Sequence, residues 1–232
     1  MRLSIMQPYF LPYLGYFQLI HASDLFLVYD NIKYTKKSWI NRNRFMRNAS
    51  DVVFSLPLRS ASDYASIVER ELAPNFDRQK LIRQFEGAYA KAPQFKSAMP
   101  LVAEVVAFPD DNLFRYILHS LQMVCQYLDI DTPFRISSEA TVSQDERGSE
   151  KVQALCRHFG ADTYLNLPGG RELYHKDDFR NQGLKLQFIE MVDVAYPQAA
   201  GEFVPKLSVI DVLMNVDKGD IRERLLPAYV ID

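Results

Sequence analysis

The 232-residue chain predicts an α/β fold: an open, mostly parallel sheet with a helical block in the middle of the sequence. Three observations predict it. Residues 3–6 and 25–29 are short apolar runs, and between them Leu14, Phe17, Leu19 and Ile20 are spaced for a helix, which is the pattern of a βαβ unit. From residue 77 the apolar period becomes helical. After residue 150 an alternation of helix and strand returns, with a helix over 151–159 and strands over 163–167 and 184–189.

The first strand is stopped by Pro8 and Pro12, which fix their own φ and push the preceding residues to extended shapes. A third strand is expected over residues 52–58, closed at Pro57, and a fourth over 66–72. Leu81, Ile82, Phe85 and Tyr89 share one helical face, as do Leu113, Ile117, Leu118, Leu121, Val124, Cys125 and Leu128. Pro93, Pro100 and Pro109 are expected to cut this block, about residues 77–131, into pieces. A turn rich in serine and acids follows over 137–150. The tail reads as two closing helices, 205–215 and 221–226, with Gly219 and Asp220 between them. The whole, residues 1–232, reads as a single α/β domain with 77–131 as a helical insertion or cap.

Apolar residues make up 48 % of the chain, enough for an ordinary core and too many for disorder, and the net charge of −2 gives no global affinity for nucleic acid. Cys125 and Cys156 stand outside any metal or disulfide spacing, and the four histidines are scattered, so no metal site is expected and a reduced, cytoplasmic setting fits. No uninterrupted apolar run approaches the roughly 20 residues of a membrane span, so no integral membrane segment is expected. Neither a Ser-His-Asp order nor a nucleophile elbow is present.

Chemistry concentrates in two places. "KYTKKSWINRNRFMRN" follows the second strand and carries Lys33, Lys36, Lys37, Arg42, Arg44 and Arg47 with no acid between Asp30 and Asp51. Such a patch suits an anion. Ser38 is expected to cap a helix bearing Trp39, Arg42 and Arg44, whose backbone donors would hold phosphate while the sole tryptophan stacks on a base or sugar. A solvated basic face is the equally weighted alternative. In "MQPYFLPYLGYFQLI", the carboxyl end of the first strand opens into a crevice where parallel sheets bind ligands. There Gln7, Tyr13 and Tyr16 carry polar tips toward a ligand, Gly15 lets a phosphate approach the backbone, and Tyr9, Phe10 and Phe17 are expected to pack. In "KLSVIDVLMN", Ser208, Asp211 and Asn215 share a polar helix face that reads as solvent-facing, and Gly169 and Gly170 form a plain turn after a strand.

With these residues in view, the sequence closely resembles the WbqC-like family of bacterial proteins, through residues 7–20, the aspartate-ended strand 24–30, the "KSWINRN" motif, "GADTYLN", the Gly169-Gly170 loop and "LSVIDVLMN". The resemblance implies a part in surface-polysaccharide assembly, including O-antigen, as a transferase or ligase adding an aminoacyl or acyl group to an amino sugar. A more distant similarity links "FLPYLGYFQLIHASDLFLV" to HIGH-type nucleotidylyltransferases, with Phe10, Pro12, Gly15, Ala22 and Asp24 in like places. It implies a Rossmann-like, nucleotidylyltransferase-like sheet. Tyr13 and Tyr16 occupy the two histidine positions of those enzymes; Lys36 or Lys37 falls in their lysine loop, and Ser208 at their closing serine turn.

The resemblances assign roles. Lys37, Arg42 and Arg44 would hold phosphate, Lys36 would assist, Trp39 would stack and Asn41 would orient an amide or hydroxyl. Tyr13 and Tyr16 would hydrogen-bond the reacting phosphate or carbonyl, with Ser208 and Asp211 at the phosphate side. Asp30, at a strand end, is the general-base candidate, with an ion pair to the basic patch as its alternative. The implied ligand is a nucleotide or nucleotide-sugar, the cofactor candidate is ATP or another nucleotide with Mg, and glycosyltransferases are candidate partners. The rival reading is a non-catalytic module that binds a nucleotide-sugar or a glycosyltransferase.

Overall fold

The structure is a computed structural model that describes residues 1–142, 146–192, 194–199 and 202–232. Its first strand, β1 (Arg2–Met6), leads through the proline turn into α1 (Leu14–Ala22) and back to β2 (Leu25–Val28). β1 and β2 pair in parallel, Leu3 opposite Leu25 and Met6 opposite Val28, so the expected βαβ unit is present. Its strands alternate across two layers: Phe26 and Val28 join the core beneath α1, whereas Leu3, Ile5, Leu25 and Leu27 join the opposite one. A sheet covered on both faces needs apolar residues at every strand position, which is why these strands read as unbroken apolar runs.

The third strand of this sheet is β5 (Phe134–Ile136), which pairs in parallel with β2. On the other side of β1 come β6 (Thr163–Asn166) and β7 (Lys185–Met191), both parallel, and then the antiparallel edge β8 (Tyr229–Ile231). The order is β5-β2-β1-β6-β7-β8. The chain therefore runs outward from β1 in one direction, then returns to β1 and runs outward in the other. Such a reversal leaves a crevice at the carboxyl ends of β1 and β6.

Two expected strands lie elsewhere. The run over 52–58 is part of β4 (Ser50–Ser55), which forms a separate two-stranded hairpin with β3 (Arg42–Arg47). Residues 66–72 form no strand: Ile67–Glu69 is a 3-10 turn opened by a Ser66–Glu69 capping box, and only single bridges flank it. The helical block is α2 (Arg78–Tyr89), α3 (Phe95–Ala107) and α4 (Leu113–Tyr127), capped at Asp77 and Asn112 by side chains that accept from Lys80 N and Arg115 N. Pro93 and Pro109 fall between helices as expected. Pro100 lies inside α3, at a cost of about 3 kcal/mol, because Ala98, Met99, Leu101, Val102, Val105 and Val106 bury one continuous face.

Of the serine- and acid-rich turn expected over 137–150, Ser137–Glu139 is a 3-10 turn, α5 begins at its bounds Gly148–His158, and residues 143–145 lie outside the described set. α5 and the short α6 (Lys176–Arg180) cover the second face of the sheet through Val152, Leu155, Cys156 and Phe179. The first closing helix is shorter than expected, α7 (Val209–Asn215), and the second is a π turn, Ile221–Leu225.

Candidate functional site

The segment after β1 is held in an unusual shape. Leu11 has φ +43, a left-handed conformation that a branched side chain rarely adopts, so neighbouring groups must hold it. They do so at its carbonyl, which accepts Asn43 Nδ2 at 2.7 Å and Ser208 Oγ at 2.8 Å. On either side, Phe10 N donates to Ile40 O and Val209 N donates to Pro12 O. Three distant parts of the sequence, residues 40–43, 208–209 and the proline turn, thus close on one loop. Ser208 also accepts from Ile210 N as the cap of α7. Its hydroxyl is therefore committed to the scaffold.

That clamp holds Tyr13 half-buried at the edge of a cleft. Tyr13, Tyr9 and Pro12 from the loop, Trp39, Asn43, Arg44 from β3, and Lys206 line a cleft of about 220 Å³. A second hollow of about 70 Å³ shares Tyr13 and Lys206 and runs along Gly15, Gln18, Met191 and Tyr196 to the start of α1. Gly15 is required there, although its space is taken by the protein: a Cβ would overlap the Tyr13 ring and stand 3.1 Å from Met191 Cε. Burial, with the neighbouring Tyr9, pushes the Tyr13 phenol up to about 12, so it is a neutral hydrogen-bond donor at pH 7. Tyr9, expected only to pack, packs against Tyr16 at 5.7 Å and also lines the cleft.

Tyr16 does not reach the cleft. It is fully buried, its hydroxyl donates to Gln7 O at 2.8 Å, and burial holds its pKa well above 10. Gln7 is half-buried just after β1; its backbone carbonyl takes that bond, and it does not line the cleft.

The basic segment runs irregularly into the strand β3, and the expected helix capped at Ser38 is not formed. Asn48 and Ala49 both have positive φ, which a two-residue hairpin turn with the strand twist requires. With β-strand alternation, Asn43 and Phe45 turn to the core while Arg42 and Arg44 lie on the other face. Arg44 pairs with Asp51 at 2.7 Å and donates to Pro205 O, which fixes it beside Lys206. Arg42 lies over the Trp39 ring at 4.9 Å and donates to Lys37 O. Trp39 itself is 43 % exposed, large for an indole, and forms one wall of the cleft.

Other expected site residues are placed apart from this cleft. Lys36 is exposed and paired with Asp63 at 2.6 Å; Lys37 is exposed with φ +65; Asn41 accepts from Tyr34 Oη and donates to Leu56 O. Asp30 makes no ion pair with the basic segment. It is buried and accepts from Ser137 Oγ at 2.8 Å and Ser138 N at 3.0 Å, tying the end of β2 to the end of β5.

Asp211 and Ser208 do not face solvent as the helix pattern suggested; both are fully buried. Asp211 accepts from Tyr89 and Tyr196 hydroxyls and from Gln198 Nε2, each at 2.9 Å. Burial raises its pKa, and the hydrogen bonds from Tyr196, Tyr89 and Gln198 pull against that rise. Gln198 in turn grips Val204 at both its N–H and its carbonyl. Asp211 is therefore an anchor for the segment that brings Lys206 to the cleft. Sequence reasoning missed Lys206, although it opens the "KLSVIDVLMN" stretch; no local signal distinguishes it from a surface lysine. Among the described residues no group of three or more His, Cys, Asp or Glu comes together, and no helix is long and apolar enough to cross a membrane.

A family model, described as the WbqC-like protein family, matches residues 7–223, which include every element of the cleft and its clamp. The chain belongs to the WbqC-like protein family. The chain is also similar to "Uncharacterized protein Rv1507c" of Mycobacterium tuberculosis, 26 % identical over 218 residues, covering 93 % of this chain and 94 % of that one. No solved structure matches the chain. In this WbqC-like protein the proline-aromatic loop and the "KSWINRN" segment both line one cleft.

Proposed function

We propose that this WbqC-like protein binds a nucleotide or nucleotide-activated sugar in the Trp39–Tyr13 cleft, as a transferase or ligase of surface-polysaccharide assembly that acylates or aminoacylates an amino sugar. One observation carries the reading. Trp39, Tyr9 and Tyr13 supply ring faces in the same cleft into which Arg44 and Lys206 bring positive charge. Rings suit a base or sugar face, and a guanidinium matches phosphate oxygens bidentately. In this reading Tyr13 donates a neutral hydrogen bond to the reacting phosphate or carbonyl, Arg44 and Lys206 orient the diphosphate, and Asn43 keeps the loop in shape. ATP or another nucleotide with Mg remains the proposed co-substrate.

A second reading rests on a specific feature: among the described residues no carboxylate or imidazole lines the cleft, so none of them faces it as an ordinary general base. That favours a module that binds a nucleotide-sugar or presents it to a glycosyltransferase. Trp39 is the only tryptophan in the chain, so its fluorescence reports the cleft directly. Titration with nucleotides and nucleotide-sugars should change its emission saturably, and Arg44→Ala should weaken the response. Unchanged emission across the panel refutes the cleft. Incubation of a binder with ATP, an amino acid and an amino-sugar nucleotide then separates the readings: a mass increase supports the enzyme, binding without turnover the module.

A further inference from the structure

Another pocket borders the 34–41 segment, and its walls do not overlap those of the Trp39 cleft. Tyr34, Lys36, Asn41, Leu58, Arg59 and Arg70, with the exposed turn at Ser60 and Ala61, enclose about 270 Å³.

Arg70 is the notable member. It is 4 % exposed, yet among the described residues it forms no ion pair. Its Nη2 donates to Ser62 O at 2.9 Å, its guanidinium lies 4.6 Å over the Tyr34 ring, and its Nε has no acceptor. Burying a guanidinium with no carboxylate paired to it is unfavourable, and an aromatic face offsets only part of that cost. The carboxylates nearby make their direct bonds elsewhere, Asp63 to Lys36, Glu71 to Arg59 and Glu69 to the Ser66 cap, although the Arg70 charge reaches Asp63 and Glu69 and helps hold both low.

The surrounding charge converges on one spot. Burial raises the pKa of Tyr34, and Arg70, Arg42 and Lys36 all pull against that rise, so three cations act at a single hydroxyl. Lys36 and Arg59 stand at the mouth, exposed and able to turn from their surface partners, whose hold is weak in water.

We propose that the Tyr34–Arg70 pocket is a second anion site that takes a phosphate group of a small molecule, with Arg70 as its buried counter-charge and Lys36 and Arg59 closing over it. This assignment does not rest on the nucleotide reading of the Trp39 cleft. An anion of pyrophosphate size fits the volume, and the unpartnered Nε–H of Arg70 is a donor that such an anion can satisfy.

The test is calorimetric titration of the full chain with inorganic phosphate and with pyrophosphate. Ala61→Asp adds a carboxylate to the exposed wall without touching the core, and Arg70→Met removes the buried charge while keeping its stem. Both should weaken binding at least about tenfold. If Arg70→Met does not fold, Ala61→Asp decides. No binding by the wild type, or wild-type affinity in Ala61→Asp, overturns the site. A failed nucleotide titration with retained pyrophosphate binding would refute the Trp39 cleft alone.

Discussion

The Leu11 clamp makes a quantitative prediction, because two side chains serve one carbonyl. Asn43 Nδ2 and Ser208 Oγ both donate to Leu11 O, at 2.7 and 2.8 Å, in a buried setting. Removing either leaves the acceptor with a partner, so at this carbonyl each substitution should cost about one net hydrogen bond, roughly 0.5–1.5 kcal/mol, and Asn43→Ala should cost about as much again because Asn43 Oδ1 also accepts from Arg44 N. Ser208→Ala also loses the α7 cap, but at 3.4 Å that bond is long and belongs at the low end of capping values, about 0.5 kcal/mol. Removing both orphans the carbonyl, which adds a desolvation penalty of about 1–3 kcal/mol. The double variant Asn43→Ala/Ser208→Ala should therefore be less stable than the sum of the singles by that amount. Urea denaturation followed by Trp39 fluorescence measures all four states. Additivity within about 0.5 kcal/mol, as for independent sites, refutes the shared-carbonyl argument.

Other consequences follow from single groups. Gly15→Ala drives a methyl into the Tyr13 ring and against Met191, so it should destabilise by about 1–3 kcal/mol and weaken ligand-induced changes at Trp39; wild-type binding would show that the Tyr13 position is unimportant. Asp211 has a raised folded-state pKa, so the native state holds this proton more tightly than the unfolded chain. Its contribution is fully present below the unfolded value of about 3.9 and is lost as pH rises through the folded value. The stability of wild type minus that of Asp211→Asn should thus fall as pH rises from about 4, and a difference that grows with pH contradicts the sign. Burial pushes the Cys156 thiol up to about 12 and raises Cys125 as well, so neither should react with a disulfide reagent at pH 8 in the native protein. Prompt stoichiometric labelling would contradict their placement.

The sheet was legible where its strands are long apolar runs beside a helix of clear period, as in β1, α1 and β2. It was not legible at β5 and β8, which are three residues each and lie at or next to an edge, too short for any period to register. The basic segment misled because its hairpin turn is Asn48-Ala49, where a glycine would have announced the positive φ. Trp39 and Arg44 were identified from chemistry alone and do share a cleft with Tyr13. Asp211 was misassigned because helical spacing shows which residues share a face and does not show whether another element covers it; Tyr89 and Tyr196 do so here. Lys206 and Arg70 gain meaning only from tertiary placement, the one beside Arg44 and the other beneath Tyr34.

The central claim is that ligand sits between the proline-aromatic loop and the β3 strand. The most direct measurement is a crystal structure of the chain soaked with whichever nucleotide-sugar changes Trp39 emission. The account expects the base or sugar ring against Trp39 and Tyr13, with the diphosphate reached by Arg44 and Lys206. Density for the ligand in the crevice at the carboxyl ends of β1 and β6, with no contact to Trp39 or Arg44, would contradict it.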